Sequence, residues 1–288
     1  MAVALGFVVG VLTVRLVVNA CRTQLRTPAL QRENHRGRAV PTAAGLFAVG
    51  AIVLVEAGRA TLAAFGVGPT PSVHGVRAVI VFACVGYALL GFVDDVLGDP
   101  YDHGFRGHVG ALGRGRVTTG AVKVIGGGAL ALVLVSTALA PTSGLRLVAD
   151  AALVALAANL ANLFDRAPGR TLKVALAAWI PLAVVAGTDP VGSAIAPVIG
   201  AFAGLLGDDL RERMMLGDTG AYPLGAALGL AVVLECSTAV RTIVLCVLVL
   251  LTVAAEFVSF SRVIDRVPGL RELDQLGRDR AARSPKLS

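Results

Sequence analysis

The sequence predicts an all-α protein, a polytopic membrane helical bundle of about nine transmembrane helices (nine or ten). Three observations predict it. Hydrophobic residues make up 56% of the 288 and charged residues only 16%, against about a quarter in soluble domains. The mean hydropathy is +0.77. The apolar residues also come in runs close to the roughly 20 residues needed to cross a bilayer.

In order, the runs cover 2–21, 43–66, 75–93, 120–141, 147–163, 172–187, 191–206, 221–238 and 240–261. The first lacks a basic leader and a clear small-residue cleavage site, so it reads as a span, not a signal peptide. The next four are long apolar stretches. The pair over 172–206 carries Pro181, Gly187, Pro190, Gly192 and Pro197, so a broken or tilted path is expected there. The last two complete one integral-membrane unit over 1–261. A basic tail over 262–288 follows.

Charge orients the bundle. The formal net charge is +7, and all but five of the 26 Lys and Arg residues fall on alternate connections that share one side. The exceptions are Arg15, Arg59, Arg77, Arg146 and Arg241. This bias puts the N-terminus outside and the C-terminus in the cytoplasm. The basic residues then face anionic lipid, and no base-reading motif points to nucleic acid. The four cysteines show no metal spacing and read as thiols packed among helices. Outside connections such as "PTSG" and "GTDP" are short turns. The unusual chemistry lies in the inside ones.

The first inside connection ends in Pro41, Thr42 and Gly45. Gly45 permits a close approach, either by a phosphate or by another helix. The second opens with Asp94 and Asp95 at the end of an apolar run, with His103, Arg106 and His108 close behind. A pair of carboxylates there is either a solvated helix end or a seat for a hard divalent cation. Mg2+ is the first choice, with Mn2+ as its substitute, because it takes one or two carboxylates and completes its shell with water and phosphate oxygens. Lys123 lies about a turn inside the following span, whose N-terminus favours anions.

The third connection carries Asn159 and Asn162 on one helix face, then Asp165, Arg166, Arg170 and Lys173. Two readings stand: a nucleotide and phosphate site, or an amide-mediated helix contact with a charged turn. In the fourth, "GDTG" sits where a span begins. Asp218 suits a cation, and Thr219 with the N–H groups of Gly220 and Ala221 suits a phosphate; an N-cap in a tight turn is the alternative. Asp208, Asp209 and Glu212 read as a solvated charged patch. Glu256 and Arg262 close the series.

"PTAAGL", "GFVDDVLG", "NLANLFD" and "GDTGAYPLG", in that order and on one side, resemble the polyprenyl-phosphate N-acetylhexosamine-1-phosphate transferase superfamily (MraY/WecA-like). The resemblance covers most of the chain. It implies Mg2+-dependent transfer of a sugar-1-phosphate from a UDP-sugar to a polyprenyl phosphate such as undecaprenyl phosphate, releasing UMP. It implies a bacterial inner membrane, with the active face cytoplasmic, and room for a homodimer. Carried over by position, Asp94, Asp95 and Asp218 are the catalytic and metal-binding acids. Asn159, Asn162 and Asp165 match the nucleotide-side motif. Thr42, His108, Lys123, Lys173, Thr219 and Gly220 are further substrate contacts. The chain departs from the family after Asp165, where "FDRAPGR" lacks a second acid, and in having no histidine after His108. Arg166, Arg170 and Arg262 stand where histidines would serve. Two other readings remain beside this enzyme: an inactive relative that binds lipid phosphate as a scaffold, and a transporter or flippase.

Overall fold

The computed structural model describes residues 2–34, 36–68, 71–97, 119–140 and 142–278. His103, Arg106 and His108 lie outside them.

Each of the nine apolar runs forms a helix. They are α1 (Ala2–Ala20), α2 (Gly45–Ala64), α3 (Pro71–Leu97), α4 (Thr119–Ala138), α5 (Gly144–Phe164), α6 (Arg170–Ala186), α7 (Pro190–Ala203), α9 (Asp218–Glu235) and α10 (Thr238–Phe257). Between α7 and α9 lies the short α8 (Leu206–Leu210); after α10 come α11 (Phe260–Arg266) and α12 (Pro268–Gln275). Among the described residues, seven helical segments are long and apolar enough to cross a membrane. α6 falls short at 17 residues, and the apolar run of α9 is diluted by Asp218 and Glu235 at its ends. Pro181 and Pro197 do not break their helices as expected: α6 and α7 run through them. The chain turns between the two instead, at Gly187 with φ of +49°.

One small sheet was not foreseen. β1 (Gln31–Glu33) and β2 (Ala39–Pro41) pair antiparallel, with Arg32 opposite Val40. Three-residue strands are too short to leave an alternating signal. The hairpin is tied to the chain before α9: Met215 N–H donates to Pro41 O at 2.8 Å, and Ala44 and Gly45 N–H donate to Met215 O and Leu216 O.

α9 is the hub. It packs against α2, α3, α5, α6 and α7, and most of its residues are buried. The close crossings come from missing side chains. A Cβ on Gly225 would lie 2.3 Å from Ala157 O of α5. Gly229, one turn on, meets Ala157 and Val154 in the same way. This is the small-residue spacing by which helices approach in lipid, where packing replaces the hydrophobic effect as the drive.

Several charges inside the bundle are paired, as the cost of a lone ion demands. Arg77 and Arg59 flank Glu56 at 3.4 and 2.7 Å. Arg146 and Arg241 flank Asp150, whose side chain is 2% exposed. Asp208, Asp209 and Glu212 correct the sequence reading, because they are not a solvated patch. Asp208 and Asp209 are buried. Asp208 pairs with Arg15 and Arg213. Asp209 accepts the Gly169 N–H at 2.7 Å. Glu212 meets Arg36 and the Asn34 amide.

Candidate active site

Four helix ends meet at one end of the bundle: the C-termini of α3 and α5 and the N-termini of α4 and α9. Their polar side chains converge because α9 starts deep between α2 and α3. A Cβ on Gly91 would lie 2.3 Å from Asp218 O, and one on Gly45 2.1 Å from Gly220 Cα. Gly45 therefore serves helix packing.

Lys123 stands at the centre. Its Nζ donates to Asp94 Oδ2 at 2.7 Å and to Asp218 Oδ2 at 2.6 Å. It also lies 5.1 Å from the centroid of the Tyr222 ring, within cation–π range. Asn162 Nδ2 approaches Asp218 Oδ2 at 3.5 Å and the Tyr222 hydroxyl at 3.4 Å. Three of the five groups in this cluster are charged, and only Tyr222 was not singled out in the sequence. Its signal was its place four residues after Asp218, on the same helix face.

Asp95, beside Asp94, does different work. Its Oδ1 accepts the Asp218 N–H at 3.1 Å. Its Oδ2 accepts the Thr219 N–H at 2.9 Å and the Thr219 hydroxyl at 2.6 Å. It caps the start of α9 from another helix, satisfying N–H groups that a helix start leaves open, and so fixes the backbone that carries Asp218. Thr219 is thereby engaged. The N–H groups of Gly220 and Ala221 both donate to Gly217 O at 2.9 Å, so neither is turned to a ligand. Thr42 is buried beside Gly217. Arg32 of the hairpin reaches the carbonyls of Asp95 and Val96 at 3.0 and 3.2 Å.

Two cavities lie at the end of α5, one against Phe164 and the other against Asp165. One, of about 450 Å³, is apolar and bounded by Ala161, Phe164, Thr171, Gly225, Val232 and Leu248 among others. The other, of about 360 Å³, is lined by Glu33, Asn34, Asp165, Arg166, Asp209 and Glu212 among others. Withdrawal from water first, then the nearby carboxylates of Asp209 and Asp218, push the Asp165 carboxyl well above the usual carboxylate range, against the Thr171 hydroxyl. Asn159 sits one turn before Asn162 and is half-buried.

Arg170 and Lys173 are engaged elsewhere. Arg170 Nε and a terminal nitrogen grip both oxygens of buried Asp274 on α12, at 2.8 and 3.0 Å. The other terminal nitrogen donates to Ser261 Oγ at 2.8 Å. Lys173 Nζ donates to the carbonyls of Leu273 and Leu276 at the end of α12. Arg278 adds a contact to Asp274 at 2.7 Å. Arg262 is exposed on α11. Burial alone would push the Asp274 carboxyl up, but the hydrogen bonds and charge of Arg170, with Arg278 and Lys173, hold it below the usual range. A lowered folded pKa means that this latch stabilises above an Asp's ordinary value of about 3.9 and is lost only as pH falls through the folded one. Arg170→Met is expected to cost about 2 kcal/mol, less than a buried pair left wholly unmatched because Arg278 stays. Limited trypsin digestion at neutral pH should then cut faster at Arg271 and Arg278. An unchanged digestion rate would remove the latch from the account.

Among the described residues, no group of three or more His, Cys, Asp or Glu side chains is placed to hold a metal ion. The donor set that does converge is a pair: Asp94 and Asp218 each turn an oxygen onto one cationic centre, the Lys123 ammonium. Two hard oxygen donors fit Mg2+, which needs no all-protein cage. One lysine is shared by both carboxylates. No protein-family model matches the chain, and no curated protein matches it.

Proposed function

We propose that this protein is a Mg2+-dependent membrane transferase that moves a sugar-1-phosphate from a UDP-sugar to a polyprenyl phosphate and releases UMP. The observation that carries the reading is the convergence of Asp94, Lys123 and Asp218, from three helices, at the end of an apolar bundle. One substrate of such a reaction is a lipid and the other is a nucleotide, so the reacting groups must meet at a boundary of this kind. The apolar cavity suits an isoprenoid chain. The polar one, with Asp165 and Arg166 at its wall, suits the sugar nucleotide. The reading makes the protein a part of cell-envelope precursor synthesis in a bacterial inner membrane, with nine spans, the N-terminus outside and the site facing the cytoplasm.

Phosphoryl transfer asks a protein mainly for alignment and for neutralisation of charge. Asp94 and Asp218 would hold Mg2+, which supplies charge neutralisation and polarises a phosphoryl oxygen. Asp95 holds the start of α9, so that Asp218 faces Lys123. Lys123 brings a positive charge to the place where phosphates would lie, and Asn162 steadies Asp218 from the α5 side. A phosphate monoester has a second pKa of about 6 and is already largely ionised at neutral pH, so the cluster need not supply a base.

Purified protein in detergent, given undecaprenyl phosphate, Mg2+ and a panel of UDP-sugars, is expected to release UMP with one of them. The alternative is an inactive relative that binds lipid phosphate as a scaffold. It is favoured by one observation, that Arg170 and Lys173 are turned to the chain's own C-terminal segment. UMP release from none of the panel, with retained binding of undecaprenyl phosphate, would decide for the scaffold.

A further inference from the structure

The C-terminal segment beyond the last long apolar helix forms a strap with two unlike faces. α11 begins three residues after α10 ends, and α12 follows at once. At about 1.5 Å per residue neither helix can carry the chain far from the end of α10. The inner face is fixed at two points. Phe260 stacks on Phe164, the last residue of α5, with ring centroids 5.1 Å apart. Asp274 and the end of α12 are held by Arg170 and Lys173, in the first turn of α6. Both anchors are helix ends at the level where the bundle leaves its apolar zone. The strap therefore lies across that boundary and does not project from it.

Its exposed surface mixes apolar and basic side chains. Val263, Val267, Leu270, Leu273 and Leu276 are exposed, Leu273 by 63% and Leu276 by 64%. Arg262, Arg266 and Arg271 are exposed among them. The exposed acids are Asp265, within electrostatic reach of Arg278, and Glu272. Leucines this open are costly in water, and nothing among the described residues covers them. Alternating basic and apolar residues along a short surface helix suit an anionic lipid interface. Arginines near such a surface are drawn to its negative potential.

We propose that the α11–α12 strap is a binding surface for the anionic headgroups of the adjoining leaflet. Leu270, Leu273 and Leu276 seat in the acyl boundary, and Arg262, Arg266 and Arg271 meet lipid phosphates. This assignment needs only that the bundle spans a membrane; it holds whether or not the chain is a transferase.

The test uses the full-length protein in lipid nanodiscs. Trp179 is the one tryptophan, so Trp179→Phe combined with Leu273→Trp places a single reporter on the strap. Brominated phosphatidylglycerol is expected to quench its emission at least twofold more than brominated phosphatidylcholine at equal mole fraction. Acrylamide in the water should quench it weakly. Replacing Arg262, Arg266 and Arg271 by Gln should abolish the difference between the two lipids. Leu276→Trp gives the same readout at a second exposed position if the first variant folds poorly. Equal quenching by both lipids, or strong acrylamide quenching with no bromolipid effect, would overturn the proposal. So would efficient disulfide cross-linking between two copies carrying Leu273→Cys, which would give the face to a second chain.

Discussion

Asp218→Asn is expected to cut UMP formation by roughly a hundred- to a thousand-fold, the scale seen when one preorganised electrostatic group is removed from a phosphoryl- or acyl-transfer site. The substitution keeps the shape and the hydrogen-bond acceptor. It removes one of two charges on Lys123, which then has only Asp94 at 2.7 Å, and it removes one of the two donors that fit Mg2+. The fold should not suffer much, because the start of α9 is held by Asp95 and by the Gly217 carbonyl, not by the Asp218 side chain.

Asp95→Asn separates the two neighbouring acids. The Asp95 carboxylate accepts three hydrogen bonds on two oxygens, and an amide has only one oxygen. One side of the new group must turn an NH2 toward an N–H or hydroxyl of α9. A lost cap of this kind costs about 1–2 kcal/mol. The expected pattern is a lowered melting temperature and reduced UMP formation for Asp95→Asn, against a near-native melting temperature and almost no UMP for Asp218→Asn. Turnover above half the native rate in Asp218→Asn would remove Asp218 from the chemistry. Identical melting temperatures for both variants would remove the cap role from Asp95.

Much of the helical layout was legible because apolar runs of span length have few other uses. The meeting of Asp94, Lys123, Asn162 and Asp218 was legible in part, since each sits at a helix end on the same side of the alternating pattern. What the two adjacent aspartates do was not legible. Residues 94 and 95 point to different sides of one helix, and only the position of α9 decides which of them caps and which is left facing Lys123. Asp208, Asp209 and Glu212 misled for a related reason. Acids in a polar connection look solvated until their partners are known, and Arg15, Gly169 and Arg36 are remote in the sequence. Arg170 and Lys173 resembled phosphate ligands because a basic turn next to an amide pair is what such a ligand set looks like. Their partner lies about a hundred residues on, at Asp274 and the end of α12. The proline-bearing helices show a third limit. Pro181 and Pro197 remove backbone donors, but packing from neighbouring helices keeps the helices continuous.

Gly45→Ala is expected to be strongly destabilising, and Gly50→Ala on the same helix is its control. At Gly45 the added Cβ would stand 2.1 Å from Gly220 Cα, 2.2 Å from Gly220 N and 2.6 Å from the Thr219 carbonyl carbon. All three are backbone, so no rotamer change relieves the clash; α2 or the first turn of α9 must move. Overpacking of a tight core costs about 1–3 kcal/mol and sometimes more. The upper end is expected here, because the displaced turn also carries the Asp95 hydrogen bonds to Asp218 and Thr219. At Gly50 nothing stands within 4 Å of the added methyl, and a helical Gly→Ala change gains about 0.5–1 kcal/mol. Thermal melts of the two variants in one detergent should therefore move in opposite directions. Gly45→Ala should also lose UMP formation out of proportion to its unfolded fraction at the assay temperature, since Asp218 rides on the shifted turn. Equal melting temperatures for the two variants would mean that α2 and α9 do not cross at Gly45 and Gly220. The placement of Asp218 against Lys123 would then lose its support, because that crossing, with the one at Gly91, sets how deep α9 begins.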